Sequence, residues 1–150
     1  ILDSALIIMG SQGYALLIDH GIQTAAAFAA EIEKRPDFQL VTAPVLNILT
    51  YRYCPRHLQK RLSEANTDRR CAISSALNRV NRDLQRLQRE AGYSFVSRTT
   101  LQGDPACGEN MVVLRAVIMN PMTDMEILRE ILDEQENIAA RFCAPDLAGL

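Results

Sequence analysis

One arginine stands alone in the most apolar segment of the chain. Arg115 lies between Met111 and Met119, and every other residue of that segment is apolar. The alternation of a β-strand would place Arg115 on the same face as Val113 and Val117. A guanidinium in that setting must reach water or find an anion, because unpaired burial costs on the order of several kcal/mol. Its planar fork matches a carboxylate, so Arg115 is a candidate for binding the carboxylate of a substrate.

Two other interpretations of Arg115 stay open from the residues alone. The guanidinium could form an internal salt bridge, or it could face solvent from an ordinary sheet position. Arg52 has a similar setting within residues 46–53, but Tyr51 and Tyr53 flank it. We therefore expect Arg52 to occupy an edge or exposed position.

The chain offers few groups for catalysis by its own side chains. It contains no Gly-x-Ser-x-Gly or Gly-x-Gly-x-x-Gly motif. Its two lysines, Lys34 and Lys60, stand among polar residues, which would not lower a lysine pKa for nucleophilic work. His20 and His57 are isolated, without a second ligand at metal spacing, so no metal site is predicted. The residues by themselves favour a non-catalytic chain.

Size and charge narrow the class of protein. A chain of 150 residues with 48% hydrophobic and 23% charged residues can form one domain with its own core. The net charge of −2 and the isoelectric point near 5.7 argue against binding to nucleic acid or to an anionic membrane surface. No apolar run approaches the roughly 18 residues of a membrane span, and no secretion signal opens the chain. We expect a cytoplasmic protein.

Two further sets of residues have ordinary interpretations. The four cysteines are widely spaced and form no Cys-x-x-Cys pair, which predicts reduced thiols. A stripe of arginines recurs along residues 79–89, but acidic residues interrupt it and no aromatic residues interleave. A solvated helix face is therefore favoured over a nucleic-acid surface. The cysteines are Cys54, Cys71, Cys107 and Cys143, and the arginines are Arg79, Arg82, Arg86 and Arg89.

Hydrophobic periodicity predicts the elements that must position Arg115. Helices are expected over residues 13–34, over 73–91 and from residue 123 onward, the last opened by a Thr123–Glu126 capping box. Strands are expected over 38–41, 46–53, 95–101 and 111–119. A loop that could carry a helical turn is expected at 54–70, and a turn-rich loop at 102–110. Gly10 to Gly13 would separate the first helix from a shorter one before it, and Gly92 would end the second helix.

The order of these elements predicts an α+β fold. Strand pairs joined by short turns favour antiparallel neighbours, so we expect a small antiparallel sheet covered by helices on one face. The chain opens at Ile1 in an apolar helical segment, which suggests that it begins inside an element. We interpret residues 1–34 as a helical arm leading from an upstream large domain, and residues 35–150 as a C-terminal small domain.

Three stretches together resemble one family, the group II pyridoxal-phosphate-dependent decarboxylases of glutamate, aromatic amino acids, cysteine sulfinate and 2,4-diaminobutyrate. The first runs from Leu-Asp-Ser-Ala-Leu at residues 2–6 to Phe-Gln-Leu-Val at residues 38–41. The second is Leu-Asn-Ile-Leu-Thr-Tyr-Arg-Tyr at residues 46–53. The third joins residues 77–81 and Phe-Val-Ser-Arg-Thr at 95–99 to Val-Leu-Arg-Ala-Val-Ile-Met-Asn-Pro at 113–121. Their order is most similar to the bacterial diaminobutyrate branch.

The resemblance implies a fold, a cofactor and a role for one residue. It implies the C-terminal small domain of the type I, aminotransferase-like fold, with pyridoxal 5'-phosphate bound by the upstream large domain that carries the Schiff-base lysine. Arg115 is the position that matches the arginine implied to hold the substrate carboxylate. The implied partners are the upstream domain, a second subunit and an amino-acid substrate. No catalytic or cofactor-binding residue of the family falls within this chain, so the fragment alone is expected to be inactive.

The predicted function is therefore a carboxy-lyase acting on an amino acid when the polypeptide is complete. L-2,4-Diaminobutyrate or a related amino acid is the expected substrate, on resemblance alone. Two alternatives remain: another pyridoxal-phosphate-dependent lyase or transferase, and a non-catalytic α+β binding or regulatory domain.

Overall fold

The computed structural model describes residues 2–143 and residue 147 of the chain. The helices are α1 (Leu2–Lys34), α2 (Arg56–Glu64), α3 (Thr67–Ala91) and α4 (Met125–Ile138), and the strands are β1 (Phe38–Val45), β2 (Ile48–Tyr53), β3 (Ser97–Leu101) and β4 (Met111–Val117). A 3-10 turn at Pro105–Cys107 lies between β3 and β4, and a π-helical turn at Ala139–Cys143 follows α4.

The four strands form one antiparallel sheet in the order β1-β2-β4-β3. The crossover connection through α2 and α3 places β3 on the far side of β4, so β4 lies between β2 and β3. This arrangement confirms the predicted α+β class with an antiparallel sheet.

Helices α1, α3 and α4 pack on one face of the sheet. Phe28 of α1 meets Tyr51 of β2 edge to face, with ring centroids 5.7 Å apart. The buried hydroxyl of Tyr51 donates to Oε1 of Gln135, whose amide donates in turn to Gln88. This buried polar chain links the sheet to α4 and α3. The apolar residues of the same core include Ala25, Ile32, Leu49, Leu84, Leu114, Ala116, Leu128 and Leu132.

Helix α3 closes the gap where β2 and β4 part beyond their last paired residues. Asn81 accepts from the backbone N–H of Tyr53 at 2.8 Å and donates to its carbonyl at 2.9 Å. Asn78 accepts from the N–H of Val112 at 2.8 Å. Both asparagines are almost fully buried. Their side chains take the place of ladder hydrogen bonds that the diverging strands cannot make.

Helix α2 corrects the loop predicted over residues 54–70. Leu58 is fully buried with Ile73 and Leu77 of α3, in a second apolar cluster. The Gln59 amide donates to the carbonyl of Cys54 at 2.6 Å. Tertiary packing of one leucine thus stabilises a helix whose other residues are mostly polar.

The termini of the predicted helices are largely as expected. Gly92 ends α3 in the left-handed conformation, with a φ of 77°. Gly10 breaks α1 with a φ of 68°. The predicted cap of α4 is wrong by one residue, because Asp124 rather than Thr123 accepts from the N–H of Ile127. Ile127 is one of the apolar residues of this helix, yet it is 42% exposed.

Helix α1 has two different halves. From Gly21 onward its inner face is buried, and it includes Ala25, Phe28 and Ile32. Before Gly21 the predicted apolar stripe is open to solvent, with Leu17 and Ile18 exposed. The buried half therefore belongs to the core that the sheet forms.

A disulfide bond corrects the prediction that all the cysteines are reduced. Cys71 near the start of α3 is bonded to Cys107 in the β3–β4 connection, with Cα atoms 5.1 Å apart and a sequence separation of 36. Arg70 pairs with Asp104 at 2.7 Å beside the bond. Cys54 is a free, buried thiol. Sequence spacing could not reveal the pair, because α3 and the β3–β4 connection meet only in the folded chain.

We expect the paired variant Cys71→Ser/Cys107→Ser to lower the free energy of unfolding of this 150-residue chain by about 2–4 kcal/mol, since the bond constrains a long loop in the unfolded state. Chemical denaturation with and without reductant measures the effect. The unaltered chain should respond to reductant, whereas the paired variant should not. An unaltered chain that is insensitive to reductant would contradict the bond.

We expect Asn81→Ala to lower the free energy of unfolding by about 2–3 kcal/mol, because it leaves the N–H and the carbonyl of Tyr53 without these partners. Asn137→Ala is the matched control, since Asn137 is exposed on α4 and should change stability by less than about 0.5 kcal/mol. Equal effects of the two variants in urea denaturation would show that Asn81 does not close the sheet.

Candidate functional site

A row of four polar residues crosses the whole sheet on the face opposite the helix-packed core. The Cα partners are Thr42 with Thr50, Thr50 with Arg115, and Arg115 with Ser97. Direct partners in antiparallel strands point their side chains to the same side. We call Thr42, Thr50, Arg115 and Ser97 the polar row. It places the predicted carboxylate-binding arginine at the centre of a hydroxyl-bearing strip.

The hydroxyl of Ser97 holds Arg115 in two ways. It donates to the backbone carbonyl of Arg115 at 2.8 Å, and its oxygen accepts from Nε of the same arginine at 3.2 Å. On the other side of Arg115, the hydroxyl of Thr50 donates to Thr42 at 2.8 Å instead. Ser97 is therefore the row member that bonds to the guanidinium.

The guanidinium of Arg115 is exposed, and it makes no ion pair with any residue that the structure describes. Within residues 2–143, the salt-bridge interpretation of Arg115 is thus not supported. The four Nη hydrogens are available to an external anion, because the Ser97 contact uses Nε. A carboxylate is the anion whose two oxygens fit that fork.

An apolar row lies beside the polar row on the same face. Val45 is the Cα partner of Ile48, and Ile48 is the partner of Val117. All three side chains are exposed, and so is Met119 just beyond β4. A cleft of about 430 Å³ near the end of β4 is lined by Arg115, Ser97, Val117 and Met119, and also by core residues of the helix-packed side such as Phe28 and Leu128. The charged fork is therefore bordered by apolar surface.

Arg52 corrects the prediction of an edge or exposed position. It lies on β2, an interior strand, and is only 5% exposed. Its Nε donates to Oε1 of Gln39 at 2.8 Å, and burial lowers the pKa of its guanidinium. The cavity that Arg52 lines has about 20 Å³, which is room for about one water molecule. Arg52 is thus shielded, unlike Arg115.

Another cavity, of about 480 Å³, suits a carboxylate less well. Its lining includes three carboxylates of α4, on Glu130, Asp133 and Glu134, and one guanidinium, on Arg141. The carboxylates outnumber the guanidinium, so the net charge of the lining disfavours an anion. The cleft beside Arg115 is therefore the better candidate site for an amino acid's carboxylate.

No family model matches the chain. Two curated proteins are similar over most of it: an aspartate 1-decarboxylase of Aliivibrio fischeri, 39% identical over 140 residues, and an aromatic-L-amino-acid decarboxylase of Bacillus atrophaeus, 30% identical over 125 residues. These matches cover 93% and 83% of this chain, and 26% and 22% of the relatives. The chain therefore spans about a quarter of their length.

A solved structure shares the fold. It is the glutamate decarboxylase domain of diaminobutyrate-pyruvate transaminase and L-2,4-diaminobutyrate decarboxylase from Vibrio parahaemolyticus, with a TM-score of 0.71 and 16% identity. The match covers 94% of this chain and 25% of that one. The chain belongs to the group II pyridoxal-phosphate-dependent decarboxylases. Its fold is that of the C-terminal small domain of these decarboxylases.

Pyridoxal phosphate is the cofactor of this decarboxylase family, but the lysines of the chain do not suit a bond to it. The Lys34 side chain is 72% exposed at the end of α1, where it lies 3.7 Å from Glu31. Lys60 is exposed on α2. Neither lysine lies on the strands that carry the polar row, so we assign no residue of this chain to the cofactor.

The remaining sequence predictions also have clear positions in the structure. The arginines at 79, 82, 86 and 89 are all exposed on α3, as predicted for a solvated face. Arg86 pairs with Asp83 and Glu90 on the same helix. None of the described helices combines the length and the apolar character needed to cross a membrane.

Sequence reasoning identified Arg115 but not the rest of the polar row. Ser97 and Thr50 were recognised only as parts of strands, since neither belongs to a nucleophile motif. Their relation to Arg115 depends on strand order and register, which a single sequence does not reveal. The available signal was alternation, because a hydroxyl residue on the outer face of a strand can reach a charged residue on its neighbour.

We expect Arg115→Ala to change the stability of the 150-residue chain by less than about 0.5 kcal/mol, because its side chain is exposed. Arg52→Ala should cost about 2 kcal/mol or more, since it removes a buried side chain and leaves Gln39 without its donor. Denaturation of the two variants side by side tests this contrast. A large loss for Arg115→Ala would show that Arg115 serves the fold.

Proposed function

We propose that the complete polypeptide is an amino-acid decarboxylase, a carboxy-lyase, and that Arg115 binds the α-carboxylate of its substrate. The observation that carries the proposal is an exposed guanidinium with its Nη groups uncommitted, at the centre of the polar row of a decarboxylase-family domain. The family's cofactor supplies the electron sink for breaking the bond from Cα to the carboxylate. The fragment by itself is inactive in this proposal.

The task of Arg115 is positioning. A fork that binds both oxygens of the carboxylate fixes the direction of the bond to be broken. The exposed apolar row of Val45, Ile48 and Val117 would keep water from that side of the carboxylate when the rest of the enzyme covers it. Lower water content strengthens the attraction between guanidinium and carboxylate.

The rest of the polypeptide is the proposed partner of this domain. Residues 1–34 would connect it to a large domain that binds the cofactor, and the complete enzyme would be a homodimer. The exposed apolar half of α1, with Leu16, Leu17 and Ile18, supports a packing partner for the arm. A cytoplasmic location is also proposed, although the Cys71–Cys107 bond weighs against it, because cytosolic thiols are usually kept reduced.

L-Aspartate is the first substrate to test, since the Aliivibrio fischeri relative is an aspartate 1-decarboxylase. L-2,4-Diaminobutyrate, the substrate expected from the sequence resemblance, is the second. Both carry the α-carboxylate that Arg115 would bind, and they differ in the charge of the side chain.

The experiment uses the full reading frame that contains this segment. The purified protein is examined for the visible absorbance of bound cofactor, and carbon dioxide release is measured with aspartate, diaminobutyrate, glutamate and aromatic amino acids. Absorbance with release from one substrate supports the proposal and names the substrate. Cofactor absorbance without carbon dioxide release would indicate that the enzyme is another lyase or a transferase. Without absorbance or release, a non-catalytic domain becomes the better interpretation.

In the complete enzyme, we expect Arg115→Lys to lower kcat/KM by about 10- to 100-fold, because an ammonium group cannot make the paired contacts of a guanidinium. The cofactor absorbance should be unchanged. Arg98→Lys is the matched control, since Arg98 is exposed on the neighbouring strand at the position opposite Leu114. Near-normal activity of Arg115→Lys would contradict the proposal that Arg115 binds the substrate carboxylate.

A further inference from the structure

We propose that Ser97 is a positioning residue for substrate binding, and that it aims the guanidinium of Arg115 so that the two Nη groups together receive the carboxylate. The inference deepens the proposed function and rests on it. Its basis is the double contact of one hydroxyl with one arginine across the β3–β4 ladder.

Both hydrogen-bonding capacities of the Ser97 hydroxyl are used on Arg115. Its single hydrogen is donated to the Arg115 carbonyl, and its oxygen accepts from Nε. The carbonyl contact fixes the position of the hydroxyl relative to the backbone of β4. The oxygen then offers Nε a fixed partner, so one end of the guanidinium plane is tied to the sheet.

This contact selects one of two ways to bind a carboxylate. An arginine can receive two oxygens through Nε and one Nη, or through both Nη groups. With Nε donating to Ser97 at 3.2 Å, the pair of Nη groups remains for the substrate. Ser97 thus favours end-on binding, with the carboxylate beyond the tip of Arg115.

The contact also reduces the conformational freedom that an exposed arginine would otherwise lose on binding. A long side chain that is ordered only in the complex weakens affinity, whereas one held beforehand does not. Thr50, on the other side of Arg115, does not provide this restraint, because its hydroxyl donates to Thr42. The restraint on the guanidinium within the polar row comes from Ser97.

The first test uses the complete enzyme and three variants. We expect Ser97→Ala to raise KM for the amino-acid substrate about 3- to 10-fold, with kcat changed less than about 2-fold, since a lost restraint weakens ground-state and transition-state binding alike. Ser97→Thr keeps the hydroxyl and should restore KM to within about 2-fold. Thr99→Ala, which removes a hydroxyl from the same strand and face, should leave both constants unchanged.

A binding measurement separates positioning from catalysis. Succinate has the two carboxylates of aspartate without its amino group, and its dissociation constant is measured by calorimetry. The constant should rise about 3- to 10-fold in Ser97→Ala and stay unchanged in Thr99→Ala. Failure of succinate to distinguish Ser97→Ala from the unaltered enzyme would overturn the inference.

The decisive comparison is Ser97→Ala in an Arg115→Lys background. Lysine has no Nε–H for the Ser97 hydroxyl to accept from. Adding Ser97→Ala to Arg115→Lys should therefore change kcat/KM by less than about 2-fold. The carbonyl contact of Ser97 is the same in both backgrounds, so a purely structural role would give an equal loss in each and would overturn the inference. If the unaltered enzyme releases no carbon dioxide, or Arg115→Lys is fully active, the proposed function fails first, and this inference fails with it.

Discussion

The central interaction of this structure is the hydrogen bonding of β4 on both of its sides. Strand β4 pairs with β2 along one edge and with β3 along the other, so it joins β3 to the rest of the sheet. Its side chains then divide between two environments, because Leu114 and Ala116 enter the core while Arg115 and Val117 do not. A register shift of one residue would bury the guanidinium and expose the leucine. Core packing therefore fixes where the candidate site lies.

The parts of the fold that follow from local chemistry were predictable from the sequence. The apolar stripe of α3 and the glycine at residue 92 are local signals, and both correspond to the structure. Alternation in an otherwise apolar strand placed Arg115 on one face with Val113 and Val117, but it left open whether the guanidinium is buried or exposed. These predictions needed no knowledge of which strands are neighbours.

The parts that were missed depend on contacts between distant residues. Arg52 is shielded because β2 is interior and Gln39 stands opposite it, and neither fact is visible in the residues around Arg52. Helix α2 depends on the burial of Leu58 against α3. The position of Ser97 beside Arg115 depends on the order β2-β4-β3, which places a strand from beyond α3 next to β4. Register and strand order follow from the packing of the whole core. Arg115 could therefore be identified from the sequence, but the residues beside it could not.

The covalent bond between Cys71 and Cys107 has a practical consequence for anyone who handles the protein. Most of α3 and all of β3 lie between those two residues. A protease that cut the backbone anywhere from residue 72 to residue 106 would leave both pieces joined in one molecule. Electrophoresis without a reducing agent would then show a single band of unchanged mass, and the nick would become visible only once the thiols were separated.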